Sequence, residues 1–221
     1  MSIVNPESLA ATLDALNEAL FEGRALSDKD RHDAAVWIAC RQGLAGAYRG
    51  MPAPTAEDFA KGAKLFTGEA IRSRVGTAHI LGEEACRALM LLRPLDDDGV
   101  SALAKSQVWL REPEMNGQGH YCCGICSVSL WRHLATRPWP EAEAALAAGM
   151  RILRERRVEG AWRPHPFWYT VLALTEIGLP GATEELRYAA PKLETYLRSS
   201  ARPGIGAARR RQVAERALAR L

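Results

Sequence analysis

Apolar residues recur at intervals of three and four along most of the chain, and Gly and Pro interrupt them at regular places. This is the pattern of a string of amphipathic helices. The spacing predicts helices over roughly 6–21, 28–44, 55–70, 75–92, 98–111, 121–135, 139–156, 166–177 and 181–198, with a last short one over about 207–220. Asp28, Thr55 and Pro166 suit helix starts. Gly178 and Pro180 suit a stop.

The helices fall into two alternating classes. Those at 28–44, 75–92, 121–135 and 166–177 are apolar around most of their circumference, as in Val36-Trp37-Ile38-Ala39-Cys40 and Trp168-Tyr169-Thr170-Val171-Leu172. Such helices are expected to be buried on all sides. The helices between them, such as 139–156, carry a one-sided stripe and are expected outside. The classes recur with a fixed offset. Ile38-Ala39-Cys40-Arg41, Glu84-Ala85-Cys86-Arg87, Leu130-Trp131-Arg132 and Leu174-Thr175-Glu176 follow one another at intervals of about 45 residues. A hairpin of this size cannot bury its apolar face alone, so neighbours stack. The expected fold is all-α: about four helical hairpins of about 45 residues each, in a curved toroid-like or solenoid arc over 1–200. A basic, helical C-terminal tail would cover 201–221.

Composition supports a globular chain: 221 residues, 48% hydrophobic and 25% charged. No run approaches the length of a membrane span. The first residues lack a basic region followed by an apolar stretch, so no secretory signal is expected. Five Cys, an odd number with Cys40 and Cys86 inside helical patterns, fit a reducing, cytoplasmic setting. The net charge of +3 is uneven: from Arg198 onward there are seven Arg and one acidic residue, a balance of +6, so the preceding residues carry −3. A mildly acidic body makes nucleic acid an unlikely partner.

The segment Arg156-Arg157-Val158-Glu159-Gly160-Ala161-Trp162, followed by Pro166-Phe167-Trp168-Tyr169-Thr170, resembles the repeat of the terpenoid cyclase and protein prenyltransferase α/α-toroid superfamily. There, a Gly-x-Trp or Gly-x-Phe loop precedes each inner helix. Gly160 and Trp162 match, whereas Arg156 stands where a Gln is usual, and the preceding repeat offers Gly117-Gln118-Gly119 without the aromatic. Full toroids of the family have five to seven hairpins, against about four here. The resemblance implies an inner-helix wall enclosing a small or apolar ligand. The family's acidic motif is echoed only by Asp96-Asp97-Asp98, which also suits a helix start.

Three groups of residues carry chemistry. The first is His120-Tyr121-Cys122-Cys123-Gly124-Ile125-Cys126 at an inner-helix start. Cys123 and Cys126, three apart, share a face, as do Cys122 and Cys126. This cluster admits a dithiol redox site, a zinc site using His120, Cys122, Cys123 and Cys126 with His165 nearby, or simple packing by small side chains. The second is the stripe His79, Glu83, Arg87, spaced to lie on one helix face. Glu83 falls at the register of Val128 and Leu172, and His79 at that of Gly124 and Trp168. His79 and Glu83 could act as base and orienter, or form an internal network with Arg87. The third is Arg163-Pro164-His165-Pro166-Phe167-Trp168-Tyr169, where His165, Trp168 and Tyr169 could wall a ligand. The register also brings Asp33 to the level of His79, Gly124 and Trp168, and so into the expected pocket.

Three functions follow as expectations. The first is a ligand-binding repeat protein of prenyltransferase or cyclase type, with catalysis left open. The second is a protein-interaction scaffold. The third is a thiol-redox or zinc protein centred on the Cys122/Cys123/Cys126 cluster. The tail, with Arg209-Arg210-Arg211 ahead of an apolar stripe, would dock on a second copy to form a homodimer, bind an acidic surface, or hang free.

Overall fold

A computed structural model of the chain describes residues 3–92, 118–121, 123–136, 140–199 and 203–221. Among these residues there are nine α-helices and one two-stranded hairpin, so the protein is all-α in class. No described helix is long and apolar enough to cross a membrane. The helix expected over 98–111, the Asp96–Asp98 run and Cys122 lie outside the described residues.

The chain divides into two compact units, 1–65 with 70–112 and 66–69 with 113–221. The first unit contains α1 (Leu9–Phe21), α2 (Asp28–Ala39), α3 (Ala56–Lys61) and α4 (Arg74–Leu92). Helices α1, α2 and α3 all pack on α4. Leu9, Leu13 and Leu16 of α1 are buried, as are Ile80, Leu81, Ala85 and Leu89 of α4. Two starts are locked by one carboxylate. Thr55 and Asp58 form a reciprocal capping box at α3. The same Asp58, 3% exposed, also accepts from the Leu9 and Ala10 N–H groups at 3.0 and 3.1 Å, satisfying donors that open α1.

Two expected helices end early. Helix α2 stops at Ala39 and not near 44, and α3 is six residues long and not sixteen or so. The apolar period continues through both regions, but Gly43, Gly46, Gly50 and Gly62 all take positive φ, which ends a right-handed helix. Nor is α2 buried on all sides: Asp28, Lys29 and His32 are exposed, because its first turns are polar. Helix α4 does meet that expectation, being buried continuously from Thr77 to Leu89.

The second unit contains α5 (Gly124–Leu134), α6 (Pro140–Glu155), β1 (Arg157–Val158), β2 (Ala161–Trp162), α7 (Phe167–Glu176), α8 (Pro180–Arg198) and α9 (Ile205–Leu218). Helix α5 packs on α6 and α7, and α8 on α6 and α7. Helices α5 and α7 bury most of their side chains, whereas α6 and α8 bury one face, as the two-class pattern requires. Helix α9 packs on α7 and α8 within this unit. Arg209 donates to the Phe66 carbonyl at 3.2 Å and Arg210 to the Thr67 carbonyl at 2.8 Å. Arg220 donates to the carbonyls of Leu174 and Ile177, at 3.1 and 3.0 Å, and to that of Thr175, closing the end of α7. Residues 205–218 are therefore a folded part of the unit and not a free arm.

Candidate functional site

Four buried ionisable groups of the N-terminal unit lie on one helix. His79, Glu83, Glu84 and Arg87 of α4 are 4%, 0%, 6% and 7% exposed. They are reached from two sides. From α1, Asn17 donates its amide to Glu84 at 3.3 Å and accepts from Arg87 at 2.9 Å, so one neutral side chain bridges a carboxylate and a guanidinium. From the glycine-rich segment after α2 comes Tyr48, whose ring lies flat on the His79 imidazole, with centroids 4.2 Å apart and planes inclined by 13°.

That segment is pinned by Arg41, which donates to the Ala53 and Pro54 carbonyls at 2.6 and 3.0 Å while its own carbonyl accepts from Ala53 N–H at 2.9 Å. A β-carbon at Gly82 would lie 2.9 Å from Met51 Cβ, so the glycine allows the segment to approach α4 between His79 and Glu83. Burial holds the His79 imidazole below its usual pKa. Glu83 works in the opposite direction, and Arg49 adds to the lowering. His79 is therefore neutral near pH 7, with an aromatic ring on one face and a carboxylate one helical turn away.

Asp33 is half-exposed on α2 and paired with the exposed Lys29 one turn earlier.

In the C-terminal unit, α5 begins at the cysteine cluster. Cys123 is the N-cap residue, with φ −154° and ψ 167°, and its side chain makes no capping hydrogen bond. It is exposed, while Cys126 in the first turn is 3% exposed. Ser127 closes the turn by donating its hydroxyl to the Cys123 carbonyl at 2.8 Å, and accepts from Tyr121 N–H at 3.0 Å. Gly124 faces the entry to α7: a β-carbon there would lie 2.9 Å from the Cα and N of His165. His165 stacks on Trp131 at 5.4 Å, and its pKa is pushed down to about 4 by burial, with Arg156 and His120 adding to the effect. His120 is exposed and donates Nδ1–H to the Gln118 carbonyl at 2.9 Å. Among the described residues, no three His, Cys, Asp or Glu side chains converge as metal ligands. His120, Cys123, Cys126 and His165 thus form no such group among themselves, and Cys122 lies outside the described residues.

Trp168 and Tyr169 separate. Trp168 is half-buried, against Phe167 at 5.0 Å and Tyr196 at 4.4 Å. Tyr169 is 1% exposed and belongs to the core, with the Arg132 guanidinium 5.3 Å over its ring. Its backbone N–H donates to Glu69 at 3.2 Å.

The Gly160-Ala161-Trp162 motif is a β-hairpin. Glu159 and Gly160, both at positive φ, form its two-residue turn. Trp162 is buried and donates Nε1–H to Glu185 at 2.8 Å, and Glu185 also holds Arg157 through two bonds of 2.9 and 2.8 Å.

Sequence reasoning missed Tyr48, Asn17 and Glu185. Tyr48 sits in an aperiodic loop and Glu185 looks like an ordinary helix-face carboxylate. Asn17 had no periodic signal of its own.

No family model, curated protein or solved structure matches the chain.

Proposed function

We propose that the chain is a helical-repeat protein of the terpenoid cyclase and prenyltransferase type that binds a small, largely apolar ligand at the α4 stripe, with His79 as proton acceptor and Glu83 as its orienter. The observation that carries this reading is a set of buried ionisable groups, His79, Glu83 and Arg87, on a helix whose repeat counterparts are apolar or small at the first two positions. Burying charge costs stability, and functional sites are where such a cost is retained. A desolvated imidazole that is neutral near pH 7 can take up a proton. A carboxylate one turn away would steady the cation that results. Tyr48 supplies an aromatic wall.

The toroid-like or solenoid arc of about four hairpins belongs to the same proposal and is supported by the repeat spacing and the Gly160–Trp162 loop. Clustered ionisable groups count against a pure interaction scaffold. Three tail arginines engaged with carbonyl oxygens count against a basic arm for nucleic acid.

The test is a titration of the full chain with farnesol, followed by NMR of imidazole resonances. Saturable shifts of the His79 resonances, weakened about tenfold (about 1.4 kcal/mol) in Glu83→Gln, are expected. His79 resonances unmoved up to the solubility limit of the alcohol would remove farnesol-like isoprenoids as the ligand class.

A further inference from the structure

We propose that Cys123 and Cys126 form a dithiol–disulfide exchange site whose oxidising substrate is a low-molecular-weight dialkyl disulfide. The inference is independent of the reading of α4, because both thiols lie in the other unit.

The two thiols differ in the way such a site requires. Cys123 is exposed at the N-cap, and no capping hydrogen bond holds its side chain back. Cys126 is sheltered, at 3% exposure, in the helix's first turn. Packing accounts for Cys126 but not for an exposed thiol at the same helix end. From helix geometry the two Cα atoms are roughly 5 Å apart, inside the range a disulfide spans.

The turn is also fixed in place. Ser127 ties the Cys123 carbonyl and the Tyr121 N–H. Gly124, between the cysteines, admits the His165 backbone so closely that a β-carbon would come within 2.9 Å of it. The first turn so held presents one thiol outward and shelters the other three residues on.

The exchange balances with the named oxidant. The Cys123 thiolate attacks one sulfur of the small disulfide, forming a mixed disulfide and expelling one small thiolate. Cys126 then gives up its proton to that thiolate and attacks Cys123 Sγ, expelling the second small thiolate, which takes up the proton that Cys123 released on ionising. The protein loses two hydrogens and becomes a disulfide, and one small disulfide becomes two thiols.

The experiment equilibrates the folded full chain with mixtures of reduced and oxidised glutathione, alkylates the remaining thiols, and maps the peptides by mass. A linked Cys123–Cys126 peptide that appears and disappears in one two-electron step is expected. Cys126→Ser should instead retain one glutathione on Cys123, and Cys123→Ser, a change at an exposed position, should form neither product. If Cys126→Ser unfolds, Cys126→Ala serves for the same trap, with circular dichroism confirming the fold. A chain that stays fully reduced in excess oxidised glutathione would overturn the proposal, as would a link joining Cys122 to either thiol.

Discussion

Arg132 and Glu176, 44 residues apart in sequence, meet as a two-bond ion pair, with Arg132 Nε and Nη2 at 2.8 and 2.9 Å from the two carboxylate oxygens. They occupy the same register position of consecutive inner-class helices, α5 and α7. In this unit, the recurring offset in the sequence is therefore a contact in space. Arg132 is 2% exposed and also covers the Tyr169 ring, so the pair joins the two helices through the core.

Removing one partner should be costly. Glu176→Ala leaves a buried guanidinium without its carboxylate, and a loss of about 3–5 kcal/mol is expected. Urea unfolding followed by circular dichroism measures it. A loss under about 1 kcal/mol, the range of exposed pairs, would mean that the pair does not join α5 to α7 in solution.

Glycine packing around Trp131 gives a second prediction. The indole Nε1–H donates to the Gly119 carbonyl at 2.7 Å, and a β-carbon on Gly149 would lie 2.4 Å from that nitrogen. Gly149→Ala should therefore destabilise by about 1–3 kcal/mol through overpacking. Gly178→Ala, with nothing within 4 Å of its β-carbon, should change stability little. Thermal unfolding of the two variants compares them directly, and equal melting temperatures would contradict the packing described.

Acid sensitivity follows from His165. Its folded pKa of about 4 lies below the ordinary value of 6.5, so the unfolded chain takes up a proton first as pH falls. The stability it contributes is complete above about pH 6.5 and is lost as pH falls toward about 4, with burial the main cause and Arg156 and His120 secondary. His79 shifts in the same direction, its burial outweighing the opposing pull of Glu83. Urea unfolding at about pH 7 and about pH 4.5 should show a smaller acid loss for His165→Gln than for the unaltered chain, by roughly 1–2 kcal/mol after allowance for solvent screening. An equal loss in both would show that His165 is not held neutral.

Much of the fold is legible in the sequence because its signals are periodic. The expected helix over 75–92 corresponds to α4, Arg74–Leu92, whose burial makes its pattern nearly continuous. Thr55 and Asp58 mark the start of α3 by a local capping rule. The overruns past Ala39 and Lys61 arise because apolar spacing carries no information about backbone sign, which the glycines decide.

The candidate site is legible to the same extent. His79, Glu83 and Arg87 share a face by spacing alone. Tyr48 reaches His79 from a loop held by Arg41, and Trp162 finds Glu185 across 23 residues. Neither meeting leaves a periodic trace, since each depends on where a turn delivers the side chain. Asp33 pairs with Lys29 one turn earlier on its own helix, a local i,i+4 contact that shared register between repeats does not encode.

The central claim, that the α4 stripe is a ligand site, is tested most directly by non-denaturing mass spectrometry of the full chain as purified, beside His79→Gln and Glu83→Gln. The account predicts that the unaltered chain carries a small molecule, released on denaturation, and that both variants have lost it. A bare chain mass in the unaltered protein, or the same bound mass in all three, would contradict it.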